Sequence, residues 1–206
     1  MNQPTRRTAL RAAGLTLCSA FFGGIAGQAL GKEIAGPPLD SDIEPPPIAP
    51  GESRVSRYYW YKNRRATGSQ ALIATYGDMY GITREQAMRM ACGFSGGIGL
   101  TGEVCGLVNA SIILIGLKYG PSKVGRDETY NNMVELAKQF SLDFRDKHKT
   151  VLCRELIQFD ISTPEQYAKA KETEGIWNPC IEATKTVLDL LENKYDILNP
   201  KTPLPS

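Results

Sequence analysis

The stretch 101–119 is apolar on nearly every face, with Val104, Leu107, Val108, Ile112, Ile113, Leu114, Ile115 and Leu117 spread around the helical wheel. A helix of that kind has no polar side to offer water, so it must sit inside a shell of other helices. Gly120-Pro121 stops it. The surrounding apolar spacing is helical as well. One helix is expected over 69–80, with Leu72, Ile73, Tyr76 and Tyr80 on one face. A second opens at Thr83, where Thr83 and Gln86 form a capping box, and turns Ala87, Met90, Ala91 and Phe94 inward. Others are expected over 127–144 and 151–157. A further one opens at Thr163-Pro164-Glu165-Gln166, a capping box with proline at the first helical position. The last is capped by Asn178 and carries Ile181, Thr184, Val187, Leu188 and Leu191 on one face. No segment alternates with a period of two. The fold class expected is all-α, a compact bundle of about six to seven helices.

The flanks divide the chain. Residues 32–56 are proline-rich (Pro37-Pro38, Pro45-Pro46-Pro47, Pro50) and are expected to be an extended linker. Residues 57–196 form the helical domain, and 197–206 a second proline-rich tail. Residues 1–31 have the composition of an export signal. Arg6-Arg7 precede an uncharged run rich in Gly and Ala, and the run ends in small residues. The paired arginines point to the twin-arginine route, with cleavage after Ala29 or Gly31. The run is poor in Leu, Ile and Val, which favours a cleaved signal over an anchor. The expected location is the periplasm, with the twin-arginine export machinery as a partner and no stable membrane insertion after cleavage. Loss of Arg6, Arg7 and Arg11 takes the net charge from +2 to about −1. So neutral a domain carries no electrostatic footprint for nucleic acid.

Four cysteines lie beyond the signal: Cys92, Cys105, Cys153 and Cys180. None forms a CxxC pair. Cys180 falls near the start of the last helix and Cys105 near the start of the central one, where unpaired N–H groups and the helix dipole favour thiolate. Cys153 follows Lys147, His148 and Lys149 and precedes Arg154, and cations favour thiolate too. Cys105, Cys153 and Cys180 are therefore the candidate redox residues. Together with Cys92 they are also the candidate ligands of an iron–sulfur cluster or another thiolate-bound metal. The plain alternatives are small buried hydrophobes or structural disulfides. The lone histidine, His148, sits in a lysine-rich stretch and reads as a surface residue rather than a ligand. Nothing places a nucleophile beside it for hydrolase chemistry.

Glycines crowd 93–106. Gly97-Ile98-Gly99-Leu100-Thr101-Gly102 satisfies GxGxxG literally, but a capped helix precedes it instead of a strand. It reads as a tight loop whose backbone closely approaches a facing helix or a cofactor, with Gly97, Gly99 and Gly102 as the approach points.

Three segments carry a resemblance: 93–99 (Gly-Phe-Ser-Gly-Gly-Ile-Gly), 102–108 (Gly-Glu-Val-Cys-Gly-Leu-Val) and 114–120 (Leu-Ile-Gly-Leu-Lys-Tyr-Gly). With Cys153-Arg154-Glu155-Leu156 and Cys180, they resemble the C_GCAxxG_C_C family, a group described as redox-active. The resemblance spans about 68–193. It implies that Cys153 and Cys180 stand at the family's last two cysteines. Ser69 stands where the first should fall, and the closing glycine of the GCAxxG element is replaced near Asn109-Ala110-Ser111. Cys92, which is not a signature cysteine, is a candidate replacement for the thiol missing at Ser69. Some members are similar to split-Soret cytochromes, but this chain has no CxxCH and so no covalent c-type haem. The functional expectation is an exported cysteine-based redox or metal-thiolate protein with a redox partner protein. The alternative is a non-catalytic accessory domain of a periplasmic redox complex.

Overall fold

The computed structural model describes residues 43–200, which carry eight α-helices and no strand. The expected signal, and the linker as far as residue 42, lie outside the described residues, as do 201–206. Helix α1 (Val55–Lys62) was not expected, because it begins inside the proline-rich segment. It buries Tyr58 and Tyr61, three residues apart on one face. Helix α2 (Gly68–Tyr76) opens on a capping box: the Thr67 hydroxyl accepts from the Gln70 amide at 3.3 Å, and the Gln70 side chain accepts from the Thr67 amide at 3.0 Å. Ala71, Leu72, Ile73 and Tyr76 on it are fully buried. A 3₁₀ turn (Gly77–Tyr80) continues it.

Helix α3 (Arg84–Ala91) has the Thr83–Gln86 capping box expected of it. It buries Ala87 and Ala91, but Met90 is exposed, because the helix shows only a narrow side to α2. The central helix α4 (Gly106–Tyr119) starts five residues later than expected, since 101–105 are loop. Helix α5 (Glu128–His148) is capped by Asp127 and runs four residues past the expected end. The short α6 (Cys153–Ile157) follows, then α7 (Pro164–Glu172), capped by Thr163. Helix α8 (Asn178–Asp189) is preceded by Trp177, which caps it with no side-chain hydrogen bond. The expected Asn178 cap is instead its first residue. A π-helical turn (Leu190–Lys194) completes it.

Helix α2 packs against α1, α3 and α4, and α4 packs in turn against α5 and α8. The main core lies between them and includes Tyr58, Leu72, Tyr76, Leu114, Phe140, Phe144 and Leu191. A smaller core gathers Cys153, Ile157, Ile161, Ala170 and Ile176, with Tyr167, Trp177 and Cys180 packed on it.

Residues 43–54 lie against this domain. Arg57 donates to the Pro46 carbonyl at 3.1 Å, Arg84 to that of Ile43 at 2.9 Å, and the Arg54 amide to Glu192 at 2.8 Å. At the other end Ile197 is fully buried, and its carbonyl accepts from the Tyr80 hydroxyl at 2.7 Å. No helix among the described residues is long and apolar enough to cross a membrane.

Candidate thiol site

Gly96, Gly97, Ile98, Gly99 and Leu100 follow one another at φ between +57° and +70°. This is one turn of left-handed backbone. Three glycines accept it freely, whereas Leu100 and the β-branched Ile98 do not. Hydrogen bonds hold the turn from both ends: Gly99 N–H to the Gly93 carbonyl at 2.8 Å, Gly102 N–H to Gly96 at 3.0 Å, and Glu103 N–H to Gly97 at 3.1 Å. The Thr101 hydroxyl donates to the Gly97 carbonyl at 2.7 Å.

The turn delivers the chain to an isolated antiparallel bridge, Val104 to Leu152. On either side of it the Cys105 amide donates to the Val151 carbonyl and the Cys153 amide to the Glu103 carbonyl, both at 2.8 Å. Two cysteines distant in sequence are thus fixed by backbone bonds within one residue of the same bridge. Cys105 is the N-cap of α4, and Cys153 is the first residue of α6. Cys180, the third residue of α8, joins them from a third element.

All three thiols line one cavity of about 480 Å³. It lies where the two cores meet. Tyr58, Phe94, Leu100, Ile161, Tyr167 and Trp177 supply its apolar walls. Tyr59, Lys62, Arg65 and Ile181 also line it and are exposed, so they mark its mouth. The wall hydroxyls of Ser69, Thr184 and Tyr58 are already engaged. Ser69 donates to the Ala91 carbonyl at 2.9 Å, and Thr184 donates to the Cys180 carbonyl at 2.8 Å and pairs with Tyr58 at 3.3 Å.

Burial decides the ionisation of the thiols. It pushes Cys105 up, against the pull of the Leu107 and Val108 amides at the start of α4. It pushes Cys153 to about 12, with the charges of Cys105 and Cys180 adding to the rise. It pushes Cys180 to about 11, with Cys105 adding to the rise and Lys62 opposing it. The helix ends and nearby cations were expected to assist ionisation at all three. Desolvation outweighs them, and the nearest of those cations, Arg154, is paired with Glu103. The three cysteines sense one another electrostatically, and all are free.

The family model described as "Putative redox-active protein (C_GCAxxG_C_C)" matches residues 67–194. The chain belongs to this family. No curated protein and no solved structure matches it. The match to the C_GCAxxG_C_C family starts at the cap of α2 and ends with the π-turn. It contains all three cavity cysteines and leaves out α1, which supplies Tyr58, Tyr59 and Lys62 to the cavity.

Other residues expected at this family site fall elsewhere. Cys92 is exposed at the end of α3, its thiol on the Arg89 carbonyl at 3.2 Å, and it does not line the cavity. It therefore does not replace a thiol at Ser69, which is buried and does line it. Of the three expected glycines, Gly97, Gly99 and Gly102, only Gly97 lines the cavity. Gly102 packs on Arg154, where an added Cβ would sit 2.8 Å from the Arg154 Cβ, and Gly99 has open space beside it. Gly97 is the approach point: a Cβ there would meet the Glu103 amide at 2.6 Å and the Cys153 Cβ at 2.8 Å. His148 stacks on Phe144 and pairs with Thr186 at 2.9 Å, away from the thiols. Among the described residues, no group of three or more His, Cys, Asp and Glu is placed to hold a metal ion. The expected ligand set of Cys92, Cys105, Cys153 and Cys180 is not assembled.

Proposed function

We propose that this chain is an exported two-electron thiol redox protein, in which two of Cys105, Cys153 and Cys180 pass between thiols and a disulfide. The observation that carries the reading is that three cysteines from three separate elements line one cavity. Membership of a family described as redox-active supports it. The twin-arginine signal read at Arg6-Arg7 supports export to the periplasm, where a redox partner would renew one of the two states.

The residues divide the work. In the reduced state all three thiols hold their protons at neutral pH, because burial opposes thiolate in each and the neighbouring cysteines add to it at Cys153 and Cys180. Cys180 is the least buried of the three and the one opposed by a cation, Lys62 at the mouth, so it is the thiol that ionises and attacks first. A neighbouring thiol then closes the disulfide. Two S–H bonds break and one S–S bond forms. Two electrons and two protons pass to the acceptor.

The test is a thiol count on the mature protein before and after hydroxyethyl disulfide, with the new disulfide located by peptide mapping and metal content measured alongside. The expected result is the loss of two thiols among Cys105, Cys153 and Cys180, reversible by dithiothreitol. Three inert thiols would leave a non-catalytic accessory domain. Bound iron with sulfide would replace the dithiol reading with a cluster.

A further inference from the structure

Building on the dithiol reading above, we infer that the electron acceptor of this site is a small, flat, apolar carrier of the quinone class, bound inside the cavity with one oxygen at its mouth.

Access comes first. Cys105 and Cys153 keep only 8% and 6% of their surface. Exchange with a disulfide requires the attacking thiolate to approach a sulfur directly. Cys180 is half-buried, and its thiol opens on the same cavity as theirs, so a partner small enough to enter reaches all three sulfurs. A volume of about 480 Å³ falls within the range that admits small ligands.

The walls then select the chemistry. Tyr58, Phe94, Tyr167 and Trp177 present aromatic surface, and Leu100 and Ile161 fill the space between. A flat conjugated ring stacks well in such a site. The wall hydroxyls of Ser69 and Thr184 are committed to backbone carbonyls. A peptidic disulfide, with its amides and carboxylates, would be stripped of water there with little in return. A quinone carries only two acceptor oxygens. At the mouth stand Lys62, whose ammonium donates to the Ala66 carbonyl at 2.9 Å, and Arg65. An ammonium keeps further protons to donate. Positive charge at that position stabilises the negative charge that builds on a quinone oxygen as electrons arrive.

The reaction balances without another reagent. Two cysteine thiols and one quinone give one disulfide and one quinol. Two S–H bonds break, one S–S bond forms, and both protons end on the quinol oxygens. The cysteines are oxidised and the quinone is reduced.

Duroquinone is the probe, because methyl groups at every ring position disfavour stable thiol adducts. Mixed anaerobically with the reduced full-length mature protein, it is expected to yield one duroquinol for every two thiols lost. Lys62→Met should slow this roughly fivefold, and Lys62→Arg should restore most of it. Binding is read separately through the two tryptophans. Duroquinone should quench the fluorescence of a Trp60→Phe variant, which retains Trp177, and quench a Trp177→Phe variant at least fivefold less. If hydroxyethyl disulfide oxidises the thiols but duroquinone neither oxidises them nor quenches Trp177, the quinone inference is overturned and the dithiol reading stands. If neither reagent oxidises them, the dithiol reading itself falls.

Discussion

The backbone of Gly97 lies against the side chain of Cys153, so close that a Cβ on Gly97 would sit 2.8 Å from the Cys153 Cβ. Gly97 also holds φ at +70°. Gly97→Ala should therefore be costly twice over. The left-handed backbone costs about 1–2 kcal/mol for any residue with a Cβ, and the overpacking adds about 1–3 kcal/mol. Urea unfolding should show the loss. Gly99→Ala, with open space beside it, should show only the backbone part.

The thiols should be slow to react at ordinary pH. A group at about 11, such as Cys180, is about one part in a thousand thiolate at pH 8, roughly a hundredfold less than an unshifted thiol near 9. Iodoacetamide at pH 8 should label exposed Cys92 first and the three cavity cysteines far more slowly, a difference that denaturation removes. Peptide mass spectrometry reads the order directly.

The same shifts give stability a pH dependence of fixed sign. In the unfolded chain these thiols lose their protons near 9, whereas in the folded chain Cys180 and Cys153 hold them to about 11 and 12. Below pH 9 both states are protonated, and the thiols add no slope. Between pH 9 and 12 the folded state binds more protons, so stability falls as pH rises. The urea midpoint should drop across that window, and changing all three cavity cysteines to serine should remove much of the drop.

Lys62 opposes the burial of Cys180 from an exposed position, so its effect is modest. Lys62→Met should slow alkylation of Cys180 at pH 9 by roughly two- to fivefold, and Lys62→Arg should leave it nearly unchanged. Alkylation of Cys153, whose ionisation is set by burial and by Cys105 and Cys180, serves as the internal control.

Ser69 lines the cavity, but its hydroxyl is bound to the Ala91 carbonyl. Ser69→Ala should cost about 1 kcal/mol of stability through that lost bond. Thiol oxidation by hydroxyethyl disulfide should stay within twofold of the parent. A larger loss of rate would give Ser69 a part in the chemistry.

Much of this arrangement was legible in the chain itself. Thr83, Thr163 and the stop at Gly120-Pro121 mark helix ends through local chemistry, and local chemistry reads well from sequence. Cys105, Cys153 and Cys180 stand out in the sequence through helix position and neighbouring cations, with the family pattern beside them, and the three line one cavity. Ionisation was read in the wrong direction, because helix position is written in the sequence and depth of burial is not. Helix α1 was hidden by the prolines before it, although Val55, Tyr58 and Tyr61 keep helical spacing. Met90 and Ile181 were placed inside by periodicity. Both are exposed, since periodicity marks a face and cannot say how much of it a neighbour covers.

The Val104–Leu152 bridge closes a loop of about fifty residues, which is a contact made at an entropic cost. Until it closes, Cys105 and Cys153 belong to separate, open stretches of chain. An oxidant present at that stage could join any two of the four cysteines, and a wrong pair would hold the halves of the cavity apart. On the dithiol reading proposed above, packing before oxidation is the order that avoids such a pair. Folding among reductants keeps the thiols of such a chain apart until the bridge has brought the right two stretches of backbone together.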